Sequence, residues 1–319
     1  MLLLISYLSF CLACLIQGEL SFNQPSFCSN ASWNSTGIIF ADNQTFQSSI
    51  WDIFITKNNT IYVPDLYAQR ILVWFDGNQT ATMNISINSS LTISVFVTED
   101  NSIYFDYQQN SIIGINQLTS NKIESIMASC DRCYDIFVDI NNNIYCSMVY
   151  VHKVIRKSLN LIQTIAGTGV NESTANTLYC PAGIFVDTNF DLYVADHYNH
   201  RIQLFPLDQT DGITVAGNLT TITLKNPVAV TLDANRYLFI ADQNNHRIVG
   251  SGPDGFRCII GCNGSSYAAL WRSLSFDTFG NLFAVDLSNN RIVKFPLSTN
   301  SCSKFFVRNQ KVNNQKNFV

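Results

Sequence analysis

AGIFVDTNFDLYVADHYNHRIQLF, residues 182–205, is the stretch whose reading decides the fold of this 319-residue chain. It recurs as VAVTLDANRYLFIADQNNHRIVGS at 228–251 and as SLSFDTFGNLFAVDLSNNRIVKF at 273–295. Three weaker copies lie upstream: WDIFITKNNTIYVPDLYAQRILVWF from Trp51, ISVFVTEDNSIYFDYQQNSIIGIN from Ile93 and YDIFVDINNNIYCSMVYVHKVIRKS from Tyr134. The column held by arginine in the clear copies falls at Arg70, Ile112, Lys153, Arg201, Arg247 and Arg291, giving spacings of 42, 41, 48, 46 and 44 residues. That period is one of propeller blades, longer than ankyrin or tetratricopeptide repeats and without their helical pattern.

Each unit resolves into short strands. Alternation of apolar and polar residues, rich in aromatic and β-branched side chains, marks half-buried strands, and the Asn-, Asp- and Gly-rich breaks supply turns. In the fourth unit the strands are expected at 182–187, 191–196, 201–206 and 212–217. One four-stranded sheet cannot bury both faces, but six arranged radially can. The expected fold is therefore all-β: a six-bladed β-propeller of four-stranded antiparallel blades. The sixth unit shows no fourth strand after Phe295-Pro296, whereas Thr36–Ala41 (TGIIFA) resembles the outer strands IQTIAG (162–167), GITVAG (212–217) and RCIIGC (257–262). The N-terminal strand is thus expected to complete the last blade. Cys28 and Cys302 would then lie near each other, and a disulfide between them would clasp the ring.

The strings Tyr193-Val-Ala-Asp-His-Tyr-Asn-His-Arg-Ile202 and Phe239-Ile-Ala-Asp-Gln-Asn-Asn-His-Arg-Ile248 resemble the NHL repeat, with Arg in place of its Leu. The resemblance spans residues 36–297, strongest in units four to six and weakest in the second, which lacks the Arg. It implies the propeller fold and carries no activity with it.

The chain divides into a signal peptide (1–18), a propeller (19–302) and a basic tail (303–319). Leu2 to Ile16 form an apolar run of signal-peptide length, short of the ~20 residues of a membrane span. No later stretch is apolar enough to span a bilayer, so the protein is expected to be secreted. Ten Asn-x-Ser/Thr acceptors fit that route: Asn30, Asn34, Asn43, Asn58, Asn78, Asn84, Asn88, Asn171, Asn218 and Asn263. So do the eight cysteines left after signal removal, an even number that allows 105 connectivities. The tail carries Lys304, Arg308, Lys311 and Lys316 without an acid; with a whole-chain charge of −4, the remainder is −8. An acidic body argues against nucleic acid as a partner.

The carboxylates Asp65, Asp196, Asp242 and Asp286 precede the turns between second and third strands, and Arg70, Arg201, Arg247 and Arg291 follow them. Recurrence in unit after unit is what an architectural role demands. His200 and His246 belong to the repeat itself, so zinc is not expected from them and His197. No paired CxxC knuckles, G-x-S-x-G, P-loop or H-E-x-x-H occurs, and no cofactor is expected. Peptidyl-amidating lyases and lactonases with similar propellers make a metal-dependent enzyme the alternative, but their ligand sets find no match here. Ubiquitin-ligase-type and RNA-reading NHL proteins are disfavoured by the export signal and the acidic body. The preferred reading is a non-catalytic module binding an extracellular protein, peptide or glycan through loops of one face, with His197, Tyr198, His200, Gln243, Asn244 and His246 as candidate contacts.

Overall fold

The computed structural model describes residues 20, 22–75, 78–87, 91–107, 112–117, 123–127, 132–159, 161–218, 220–262 and 269–298. The expected signal peptide, the 303–319 tail, Cys130 and Cys302 lie outside them. The described strands form an all-β propeller of four-stranded antiparallel sheets, six in number. The first sheet contains β2 (Phe54–Ile55), β3 (Ile61–Asp65), β4 (Arg70–Trp74) and β5 (Met83–Ser86); the second, β6 (Val95–Val97), β7 (Ser102–Tyr107), β8 (Ile112–Gln117) and β9 (Ile123–Met127). The third holds β10 (Cys133–Val138), β11 (Ile144–Met148), β12 (Lys153–Ser158) and β13 (Leu161–Ala166). The fourth holds β14 (Pro181–Val186), β15 (Leu192–Asp196), β16 (Arg201–Phe205) and β17 (Ile213–Gly217), each within a residue or so of expectation. The fifth holds β18 (Pro227–Leu232), β19 (Leu238–Asp242), β20 (Arg247–Gly252) and β21 (Gly255–Ile260). In the sixth, β22 (Trp271–Phe276), β23 (Leu282–Asp286) and β24 (Arg291–Phe295) are joined by β1 (Ile38–Ala41), which pairs antiparallel with β24.

Burial follows the radial arrangement. Every residue of β14 and β15 is buried, whereas outermost β13 buries only its last residue, Ala166. The innermost strands touch in the order β2, β6, β10, β14, β18, β22, and β22 touches β2. The apolar faces of neighbouring sheets therefore cover one another, which no sheet achieves alone. No helix among the described residues is long and apolar enough to cross a membrane.

The recurrent carboxylates have one job. Asp196, fully buried at the end of β15, accepts from the Tyr179 backbone N–H in the linker entering its sheet (2.7 Å), from Asn199 Nδ2 (2.9 Å) and from Arg201 Nε (2.8 Å). Asp242 takes the Lys225 N–H, Asn245 and Arg247 in the same way, and Asp65 takes the Gln47 and Ser48 N–H groups and Arg70. Asp286 binds Ser288, Asn289 and Arg291. Asp106, whose copy lacks the arginine, still accepts from the Ile93 and Ser94 N–H groups. Asp196 and Asp242 tie linker, turn and strand together, the others share part of that set, and all satisfy donors that would otherwise be buried without partners.

A second set of contacts joins successive sheets. The residue before the Arg column sits in the left-handed region at His152, His200, His246 and Asn290. His152 Nδ1 accepts from Cys180 N and His200 Nδ1 from Asn226 N, each in the next sheet's linker. His246 Nδ1 meets Ala269 O, and Asn290 both accepts from Ile50 N and donates to Ser48 O.

Cys133–Cys146 links neighbouring strands β10 and β11, and Cys258–Cys262 closes a short loop, both consistent with an oxidising compartment. Cys28 is disulfide-bonded, and Cys180 is a free thiol. Eight of the ten acceptor asparagines are described and all eight are exposed; Asn88 and Asn263 lie outside.

Arg201→Met leaves the Asp196 charge buried without its cation and should lower the unfolding free energy by about 3–5 kcal/mol in denaturant titration. A loss below about 1 kcal/mol, the value of an exposed pair, would contradict this role.

Candidate functional site

The innermost strands all begin at the face that carries the b–c turns, those between the second and third strands of each sheet, and residues at or just before their starts line the mouth of the central channel. In repeat register these are Trp51, Ile93, Tyr134, Ala182, Val228 and Arg272. Arg272 is only 5 % exposed. Its guanidinium carbon lies 3.8 Å from the Tyr134 ring centre and 4.7 Å from that of Trp51. Two aromatic faces compensate for lost hydration through cation–π attraction. They supply no hydrogen-bond acceptor, and the buried Nε of Arg272 has none.

The next residue along each strand builds a polar hoop: Asp52, Ser94, Asp135, Gly183, Ala229 and Ser273. Asp52 accepts from Ser273 Oγ (2.6 Å) on one side and from Val95 N (2.9 Å) on the other, as well as from Ile53 N. Asp135 accepts from Ser94 Oγ (3.1 Å), Ile136 N (2.9 Å) and, across to β14, Ile184 N (2.8 Å). Gly183 completes the hoop because a Cβ there would lie 2.6 Å from Val228 O. Burial, then the Asp52 charge, push the Asp135 carboxyl up to about 7, against the pull of its hydrogen bonds and of Arg272. Below the hoop a cavity of about 90 Å³ runs between Phe54, Phe96, Phe137 and Phe185. Phe22 closes its far end, edge-on to Phe96, Phe137 and Phe185, and Asn23 Nδ2 donates to Thr56 O and Phe276 O.

Around the mouth, Tyr67, Tyr150 and Tyr198 hold one position of the b–c turn in the first, third and fourth sheets and are exposed by 61, 61 and 51 %. Arg132 stacks on Tyr150. Tyr198 packs on His197 and Tyr179, and Tyr179 on His152. Burial holds the His197 imidazole below its usual value, and its Nδ1 faces Pro227 O at 3.2 Å. Of the other residues singled out in the sequence, Asn244 donates to Asn226 Oδ1, Gln243 is half-buried in the same turn, and His200 and His246 bond to linkers through their Nδ1 atoms. Asp52, Asp135, Arg272, Tyr67 and Tyr150 were not singled out. Their signal was available in the repeat columns: Asp52 and Asp135 share one with serine, glycine and alanine, Arg272 is the charged residue of its own, and Tyr67 and Tyr150 share theirs with Asn244 and Ser288. Among the described residues no group of three or more His, Cys, Asp or Glu side chains is placed to hold a metal ion.

Residues 178–205 match the NHL repeat. These are the linker end, three strands and b–c turn of the fourth sheet, with Asp196, His200 and Arg201 among them. No curated protein sequence matches the chain. Solved structures share the fold at low identity. Virginiamycin B lyase from Staphylococcus aureus is 12 % identical with a TM-score of 0.58, over 80 % of this chain and 87 % of that one. A gluconolactonase from Xanthomonas campestris is 13 % identical with a TM-score of 0.60, over 88 % and 99 %. A chain of a nidogen/laminin complex is 16 % identical with a TM-score of 0.53, over 73 % and 97 %. The NHL-repeat match in the fourth sheet thus sits within a propeller fold shared by proteins of different activities.

The raised Asp135 carboxyl has a consequence for stability. A folded-state value above the unfolded one means that the native state binds the extra proton, so stability is greatest in acid and falls as pH rises from about 4 to 7. The facing groups are Asp52, Ser94, Ser147 and Arg272. Between pH 5.5 and 7.5 the wild type should lose roughly 2 kcal/mol of unfolding free energy, and Asp135→Asn should flatten most of that loss. Equal slopes for the two proteins would refute the assignment.

Proposed function

We propose that the six sheets close as one six-bladed ring, completed by the Thr36–Ala41 strand and clasped by Cys28 and Cys302, and that the ring is a secreted, non-catalytic binding module. Its ligand is an extracellular protein, peptide or glycan that docks on the b–c face over the channel mouth. The observation that carries this reading is Arg272, held between Trp51 and Tyr134 at the mouth on the face that also carries the exposed Tyr67, Tyr150 and Tyr198. Tyrosine and arginine of this kind dominate recognition surfaces, because they offer large contact area and directed hydrogen bonds. His197, Gln243 and Asn244 would extend the contact rim, with His200 and His246 supporting it.

The hoop carboxylates favour binding over catalysis. Asp52 and Asp135 each accept three protein hydrogen bonds. A general base needs a lone pair turned towards the substrate. The likeness to a chain of a nidogen/laminin complex supports a role in protein contacts, while the lyase and gluconolactonase likenesses keep a metal-dependent enzyme as the competing reading.

Intact protein applied to arrays of immobilised glycans and extracellular-matrix proteins should retain a binder. Arg272→Met and the triple change Tyr67→Ser, Tyr150→Ser, Tyr198→Ser should each weaken that binder about tenfold or more with unfolding midpoints little changed. Binding that survives both variants would place the site elsewhere, and stoichiometric zinc or calcium in the purified protein would favour the enzyme.

A further inference from the structure

Away from the mouth, on the side of the ring near its opposite face, the groove between neighbouring sheets is filled in three different ways. One left-handed position in the turn between first and second strands decides which. It is Phe190 in the fourth sheet, Arg236 in the fifth and Gly280 in the sixth, with φ of 64°, 65° and 76°.

Between the fourth and fifth sheets Arg236 reaches back to Asp187 (2.7 Å), Asp191 (2.8 Å) and the Tyr193 hydroxyl (3.1 Å), and these contacts close the groove. Between the fifth and sixth sheets Gly280 offers no side chain, and the chain's own segment 25–33 lies there. Trp33 Nε1 donates to Gly280 O (2.9 Å), and Phe27 packs on Phe239, Phe276 and Trp33. The backbone of this segment is read as well: Ala234 N donates to Pro25 O, Asn235 Nδ2 to Phe27 O, and Arg257 to Ala31 O.

The groove between the third and fourth sheets has the same parts and, among the described residues, no such filling. Strand register places Tyr145, Arg156 and Gln163 side by side, as it places Phe239, Gly250 and Arg257 in the fifth sheet. Facing them are Phe190 and Phe205, and a cavity of about 180 Å³ lies between. Arg156 donates to Gln163 at 3.3 Å and interacts with the Tyr145 hydroxyl, while its buried Nε has no partner among the described residues. The volume is below the ~300–1,000 Å³ that encloses a drug-sized compound, so it suits one or two side chains of a peptide whose backbone lies along the groove.

We propose that the groove between the third and fourth sheets binds an extended peptide segment of a partner protein, in the manner in which segment 25–33 fills the groove between the fifth and sixth. An aromatic side chain of the peptide enters between Tyr145, Phe190 and Phe205, and Arg156 with Gln163 donates to its carbonyl groups, as Arg257 does to Ala31. This site is separate from the channel mouth and does not depend on what binds there.

The probe is a capped synthetic peptide with the 25–33 sequence, PSFCSNASW, carrying serine in place of its cysteine. It is added to the intact protein at up to about 1 mM, the weak end of the affinity scale. Amide hydrogen exchange should show new protection in Leu161–Ala166 and in residues 206–210. Arg156→Ala should weaken binding about tenfold or more. Phe190→Arg, which installs the residue that closes the next groove and is accommodated at the same φ by Arg236, should abolish it without loss of folding. Absence of protection, protection confined to Gly255–Ile260, or binding unchanged in both variants would overturn the proposal.

Discussion

A carboxylate buried at the end of the second strand of a sheet has to find donors for both oxygens, and in this chain the donors come from three separate places. Asp196 gathers a linker amide, a turn asparagine and a third-strand arginine, and Asp242 repeats the pattern residue for residue. Burial raises the Asp196 carboxyl above its ordinary value even with Arg201 beside it, so the pair costs desolvation and is weak as a pure stabiliser. Its contribution is geometric, because once the carboxylate is buried only one path of the linker satisfies it. The starts of the innermost strands are set by those linkers, and the channel mouth is made of those starts.

The same reasoning explains which parts of the molecule were legible in the sequence. The strands of the fourth sheet and the four-stranded antiparallel blades followed from recurrence, because packing constraints that repeat leave residues that repeat. Asp106 was harder to see, since its copy lacks the arginine while keeping the amide contacts. The mouth was illegible for the opposite reason. Asp52 and Asp135 occur where other copies have alanine, glycine or serine, Arg272 where they have aromatic or aliphatic residues, and only the packing of the sheets brings them together. The histidines were conspicuous in the sequence because they recur, and recurrence reflects their bonds to the following linkers.

Two kinds of variation are thus superposed on one frame. At the mouth, two adjacent columns of the first strand change chemistry from sheet to sheet and create a polar hoop capped by a cation between aromatic rings. On the side, a single left-handed turn position changes from Phe190 to Arg236 to Gly280, and the groove beside it is partly open, closed by ion pairs or occupied by segment 25–33. Neither variation disturbs the carboxylate contacts, so recognition can diverge while the frame stays fixed.

The frame itself is the claim on which the remainder rests, and amide hydrogen exchange reads it directly. Tyr179 and Lys225 lie in linkers, where amides ordinarily exchange fast, but here their N–H groups end on buried Asp196 and Asp242. The account predicts that both are protected as strongly as the interior strand amides of Ile184 and Val230, exchanging only through global opening. Rapid exchange of Tyr179 and Lys225 alongside slow exchange of those strands would contradict it.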